Sequence, residues 1–253
     1  MITLFAINLI LLFTFMLFIV PKKMQKITLQ QFITNLQKHL PYLLIIFTVV
    51  AVHLIEVNFI DSHTTALIGV DFADAFQSIE GDIVYSFSQY WSAPLLVFFV
   101  LMYIAVYPFT LWFTPLYLIS TDNKKAMKTL AYGLLITYKI ALLFYLFLPV
   151  TNVYTYYGGS SALNQIIPGV EQFFYSTTTH NNCFPSLHVA MTLLLARTVQ
   201  LTGNKKYTYF AYFCAISVII AVIYLSIHWL LDVFAGLLIT VGVILLLKHF
   251  IKE

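Results

Sequence analysis

The sequence predicts an all-α fold: a polytopic transmembrane helix bundle of about seven spans, with the N-terminus outside and the C-terminus cytoplasmic. Three observations carry this. Of 253 residues, 61% are hydrophobic and only 9% are charged, where a soluble domain carries about 25% charged residues. The apolar residues come in runs of membrane-span length. The thirteen Lys and Arg are also unevenly placed. Lys22, Lys23, Lys26, Lys38, Lys124, Lys125, Lys128, Lys205, Lys206, Lys248 and Lys252 fall on one side of the predicted bundle. Lys139 and Arg197 lie within spans, and no cation is left for an outside loop. Short cytoplasmic loops collect positive charge, so this bias sets the orientation.

Residues 2–20 are apolar and long enough to span. Their charges follow rather than precede the run, and no small-residue cleavage site ends it, so it reads as an uncleaved first helix. Residues 27–40 mix polar and apolar side chains, an interfacial extension ahead of a second span at 41–59. The outside segment 61–92 carries Asp71, Asp74, Glu80 and Asp82. Its apolar residues suggest a helix on the membrane surface, and its acids read as a solvated face ahead of a divalent-ion site. A third span at 93–119 contains Pro108 and Pro115, and a fourth at 130–149 contains Lys139. The outside loop 150–182 holds Tyr154, Tyr156 and Tyr157, read as interfacial belt residues. A fifth span runs over 186–201, where Arg197 can snorkel to the inner surface.

Residues 209–247 are apolar almost throughout. As one helix they would run roughly 58 Å, about twice a bilayer core. Lysines flank both ends, so the chain must cross twice and turn near His228, with Ser226 as a helix cap. Cys183 and Cys214 then sit at different depths, and no disulfide between them is expected. Residues 1–128 form the N-terminal membrane helices with the outside segment. Residues 129–253 form a catalytic bundle, the two making one integral membrane domain.

This topology brings two short motifs to the outer face. In the first, residues 181–188, Pro185 suits a helix start and Ser186 adds a hydroxyl. The N–H groups that follow point outward with the positive end of the helix dipole, an anion site. His188 adds a group that titrates near neutral pH. In the second, His228 and Asp232 are spaced i, i+4 on one helix face. A histidine held by an aspartate is an activated nucleophile. A second histidine opposite it can act as general acid, then base. His53 and Glu56, three apart on the second span, read as a structural pair ahead of site lining.

Phe184-Pro185-Ser186-Leu187-His188, followed by His228-x-x-x-Asp232-Val233-x-Ala235-Gly236, resembles the type 2 phosphatidic acid phosphatase superfamily of membrane enzymes. The Pro-Ser-Leu-His form is most similar to the inositol phosphorylceramide synthase-like branch. The resemblance covers 132–247. It implies that His228 is the nucleophile that takes the phosphoryl group, Asp232 its orienting carboxylate, His188 the acid for the leaving oxygen and Ser186 a phosphate ligand. It implies a lipid substrate in a bilayer, no cofactor, no metal and no nucleic acid; the oligomeric state is left open. Three positions depart from the family pattern. Val222 stands where an Arg is usual, Leu187 replaces a Gly, and Leu148-Pro149 lacks the Arg-Pro pair. Lys139 and His180 are the remaining candidates to balance phosphate charge.

The reaction expected is transfer or hydrolysis of a lipid phospho-headgroup through a phosphohistidine on the non-cytoplasmic face. The alternative within the superfamily is a lipid phosphate or polyprenyl diphosphate phosphatase. A histidine-dependent transporter would place its polar groups near the midplane, among internal repeats, and none is evident. A serine hydrolase would need a glycine-rich turn around Ser186.

Overall fold

Helices make up the architecture of the computed structural model, which describes residues 2–22 and 24–251. Lys23 and Lys252 of the cytoplasmic set lie outside the described residues. Among those described no strand forms; Val150 and Asn182 make an isolated bridge. Helix α1 is Ile2–Phe18 and α2 is Leu29–Ile68. Two short helices follow, α3 Ala73–Glu80 and α4 Ile83–Ser88. Then come α5 Ala93–Ser120, α6 Lys124–Phe147, α7 Leu187–Gln200, α8 Lys205–Tyr224 and α9 Leu230–Phe250. Between α6 and α7 the chain makes three single turns of helix.

Five helices, α2, α5, α6, α8 and α9, are long and apolar enough to cross a membrane. Two others occupy predicted spans but are shorter. Helix α1 has 17 residues, and α7 has 14, about 21 Å at 1.5 Å per residue against a core of about 30 Å. Phe47, Leu143, Phe213, Phe234 and Leu245 are exposed on the long helices, an arrangement that hydrocarbon favours and water does not. The chain is a multi-pass membrane protein.

The second span gains residues at both ends, and the fourth begins at Lys124 rather than at 130. The interfacial extension at 27–40 is continuous with the second span, because Thr28 and Gln31 form a reciprocal capping box that starts the helix at Leu29. The same helix runs on past Phe59 through a π-turn at Glu56–Ile60. In α5 the turn before Pro108 also widens, with Tyr107 N–H donating to the Met102 carbonyl. Proline has no N–H to continue the regular ladder, and the wider turn lets the helix pass through it.

The crossing at 209–247 does split, into α8 and α9. Ser226 is not the cap of α9. It takes a left-handed φ of 54° in the turn, and Trp229 is the N-cap.

Aromatic packing joins the first helix to the rest. Phe15 is 2% exposed and meets Phe109, Phe113, Tyr207 and Phe210 edge-on at centroid distances of 4.7–5.5 Å. This seats α1 against α5 and α8. Gly133 of α6 lies so close to α7 that a Cβ would come within 2.6 Å of Leu194.

Candidate active site

The two motifs meet because three helix ends are tied together. Ser186 is the N-cap of α7, and its hydroxyl accepts from Val189 N–H. Its own backbone N–H donates to the Asp232 carbonyl at 3.1 Å. The Pro185 carbonyl accepts from the Tyr145 hydroxyl at 2.9 Å, which adds α6 to the joint. Cys183 and Cys214 are both free and buried, and the Cys183 thiol donates to the Ile227 carbonyl. Gly236 is needed where α9 crosses the motif, since a Cβ there would sit 2.6 Å from the Ser186 carbonyl oxygen.

At this joint His228 Nδ1 lies 3.1 Å from Asp232 Oδ2. The same oxygen accepts from Trp229 N–H at 2.8 Å. Asp232 is fully buried, and its other oxygen has no hydrogen-bond partner. With Nδ1 engaged by the carboxylate, Nε2 is the nitrogen left for chemistry. The His188 ring stands 5.8 Å from the His228 ring, centroid to centroid. The Tyr103 hydroxyl lies 3.1 Å from His188 Nε2, and Phe174 packs on the same ring. Val222, at the position of the usual arginine, contributes backbone alone: its carbonyl accepts from Ile227 N–H and His228 N–H.

Both histidines line a cavity of about 360 Å³. It runs between α2, α5, α6 and α7 under the 150–182 loop. Its walls are largely aromatic, including Tyr103, Tyr107, Tyr145, Phe173 and Phe174. No Lys, Arg, Asp or Glu is among the described residues that line it.

The other candidate residues lie elsewhere. Ser186 is fully buried and engaged as a cap. Lys139 sits on the exposed side of α6, away from the cavity wall. His180 stacks on Tyr175 at 3.8 Å, and its Nδ1 lies 3.3 Å from the Asn152 amide. An amide N–H can only donate, so that ring nitrogen accepts. Burial holds the imidazole below its usual pKa against the opposing pull of Glu171. Burial thus opposes a positive charge on His180.

Tyr103, Tyr145, Glu56 and Glu80 hold the site from outside the two motifs. Tyr103 and Tyr145 lie inside apolar spans, where any polar group merits attention. Asn182 of the first motif donates to Glu56 at 2.9 Å, and Asn181 donates to Thr65 at 2.7 Å. These bonds clamp the motif to α2. Glu80 accepts from the N–H groups of Leu230 and Leu231 at 2.8 and 2.6 Å, supplying from α3 the acceptor that Trp229 does not give to α9.

Asp71, Asp74 and Asp82 keep the exposed carboxylates expected of a solvated face, and several acids and tyrosines of residues 61–92 and 150–182 also tie these two segments together. Asp71 bonds Thr151, Asp74 accepts from Tyr156, and Tyr157 donates to the Gly81 carbonyl. Tyr154 is buried against Tyr175. Cys183, His228 and Asp232 place donor atoms within 4.8 Å of one another, a set of soft and hard ligands that could hold a divalent ion. The family model of the PAP2 superfamily matches residues 84–246. No curated protein and no solved structure matches the chain.

Proposed function

Because this chain belongs to the PAP2 superfamily, we propose that it transfers or hydrolyses the phospho-headgroup of a membrane lipid through a phosphohistidine, as in the inositol phosphorylceramide synthase-like branch. The observation that carries this is the His228–Asp232 pair at 3.1 Å, facing His188 across one cavity. Asp232 holds Nδ1–H, which leaves the Nε2 lone pair directed to phosphorus. The N–P bond forms as the P–O bond to the leaving alcohol breaks, and His188 gives that oxygen its proton. In the second half, water or an acceptor alcohol gives its proton to His188. A new O–P bond then forms, and the N–P bond returns its electrons to His228.

The charge of the cavity favours a phosphodiester over a monoester. A monoester is nearly dianionic at neutral pH and is best met by fixed cations, arginine above all. The wall supplies none, and the dipole at the start of α7 matches one negative charge better than two. The apolar part of the cavity lining, which includes Val49, Pro108 and Leu134, suits an acyl chain. We place the reaction on the non-cytoplasmic face, on the lysine distribution.

A phosphatase of lipid phosphate or polyprenyl diphosphate is the second reading, and the Cys183, His228, Asp232 set bears on it, since an ion held there would add positive charge. One experiment separates the two. Purified protein is given a lipid phosphate monoester and a phosphodiester lipid at equal concentration, with and without chelator, and free phosphate and new lipid are both followed. Preference for the diester that survives chelator is the expected result. Preference for the monoester overturns the transfer reading, and loss of activity with chelator overturns the metal-free histidine.

A further inference from the structure

A second pocket, of about 420 Å³, lies between α6, α7 and α9, at the ends of these helices away from the two histidines. Along the helix axes Arg197 is about 14 Å from His188, and Lys248 about 24 Å from Asp232, at 1.5 Å per residue. Each helix brings a cation to the wall. Lys125 comes from the first turn of α6, Arg197 from the last turn of α7 and Lys248 from the last turn of α9. No Asp or Glu is among the described residues that line it. The bias of lysines to one side of the bundle explains cations at these helix ends, but not their gathering around one space. Like charges so placed repel one another, and an anion held between them turns that repulsion into attraction.

Arg197 defines the kind of anion. It is half-buried, and its Nη1 donates to Gln200 Oε1 at 2.8 Å. The same oxygen accepts from the Tyr212 hydroxyl of α8 at 3.1 Å, so the guanidinium is oriented by two helices. A guanidinium carries N–H donors on all three nitrogens, and the Gln200 bond uses one of them. The flat fork that is left fits phosphate oxygens, which a point charge such as lysine does not match in shape. An arginine within a span is costly to keep and marks a functional position by default. Leu201, Ile244 and Leu247 supply an apolar part of the wall, which suits the glycerol and upper acyl carbons of a lipid. Basic pockets between membrane helices on the cytoplasmic side hold acidic headgroups in this way.

We propose that this pocket binds the phosphate of an anionic phospholipid between Arg197, Lys125 and Lys248, on the face that the lysine distribution makes cytoplasmic. The site is apart from the cavity of the phosphoryl chemistry and does not depend on it. The bound phosphate bridges α6, α7 and α9, the same helices whose opposite ends meet at Tyr145, Ser186 and Asp232.

The full chain in detergent micelles is labelled with phosphatidylglycerol carrying a photoreactive diazirine beside its glycerol, and the labelled residues are mapped by mass spectrometry. Label is expected near Leu201 and Leu247. Unlabelled phosphatidylglycerol should displace it, and phosphatidylcholine, whose ammonium the three cations repel, should not at the same concentration. Arg197→Gln is expected to weaken binding at least about tenfold, the worth of one charge-assisted hydrogen bond. Lys206 is exposed on α8 and does not line the pocket. Lys206→Gln should therefore leave binding within about twofold, since a lone exposed charge contributes little. Equal weakening in both variants would show a general attraction of acidic lipid to the basic face and overturn the pocket. Equal displacement by phosphatidylcholine, or label confined to the histidine cavity, would overturn it as well. Where Arg197→Gln does not fold, the competition and the label map on the parent protein decide. Inorganic pyrophosphate is the soluble arm: displacement at lower concentration than phosphatidylglycerol needs would keep the phosphate site and overturn a lipid as its occupant.

Discussion

The proposed mechanism gives His228, Asp232 and His188 separable jobs, and substitution should separate them. His228→Ala removes the attacking nitrogen and should abolish both turnover and the covalent phospho-enzyme. Asp232→Asn keeps the shape of the site and leaves the ring unoriented, for a loss of roughly a hundred- to ten-thousand-fold in kcat. His188→Ala loses proton donation, so it should still form the phospho-enzyme from a lipid with a good leaving group and fail with a poor one. Trapping with radiolabelled donor reads all three, and wild-type turnover in His228→Ala would exclude the histidine nucleophile. The same scale bears on charge. Lys139 faces away from the cavity, and burial lowers the His180 pKa. Lys139→Met and His180→Gln should therefore leave KM for a phosphodiester within about twofold. A rise of tenfold, about 1.4 kcal/mol, would return either residue to the phosphate.

At the level of elements, the site depends on how α7 and α9 begin. Helix α9 takes its N-terminal acceptor from Glu80, a residue of α3 distant in sequence. Glu80→Ala should cost about 1 kcal/mol, the usual worth of a cap, read as a lower Tm. Burial raises the Glu80 carboxyl above its ordinary range, against the Leu230 and Leu231 N–H groups that favour its ionised form. The folded state thus holds the proton more tightly than the unfolded one. The Glu80 contribution is full below the ordinary carboxylate value and declines as pH rises through the folded value. Glu80→Gln should flatten that decline, and an unchanged Tm-against-pH curve would show that Glu80 does not titrate there. Gly236→Ala tests the crossing of α9 over the motif. Its Cβ would meet the Ser186 carbonyl at 2.6 Å, a backbone atom that cannot rotate away. A loss of about 1–3 kcal/mol is expected, with activity falling alongside as the motifs separate.

For the molecule as a whole, orientation is the open quantity that the lysine distribution predicts. Ser160 is exposed in the 150–182 loop and Lys206 in the first turn of α8, and the native cysteines are buried. Ser160→Cys and Lys206→Cys should therefore label from opposite sides of sealed vesicles, Ser160 from the non-cytoplasmic side. Labelling of both from one side would remove the proposed topology. Five helices have the length and composition to cross, while α1 and α7 fall short of a bilayer core. Short α7 ends against the cavity, so its N-terminus presents Ser186 and His188 inside the protein rather than at its surface.

Composition and lysine placement by themselves determined a helical membrane protein, because the cost of burying charge in hydrocarbon leaves few other solutions. Local spacing determined the His228–Asp232 pair, since i, i+4 at a helix start brings an aspartate to a histidine. Length arithmetic determined that 209–247 must turn at His228. The tertiary structure alone decided which polar residues serve the site. Tyr103, Tyr145, Glu56 and Glu80 reach their partners across 40 to 150 residues of sequence, and no local pattern encodes a contact between helices. It also decided that Ser186 caps α7, that Lys139 faces outward and that His180 is partly buried against Tyr175. Each depends on which side of a helix or loop the packing leaves free, and that is set by neighbours contributed from elsewhere in the chain.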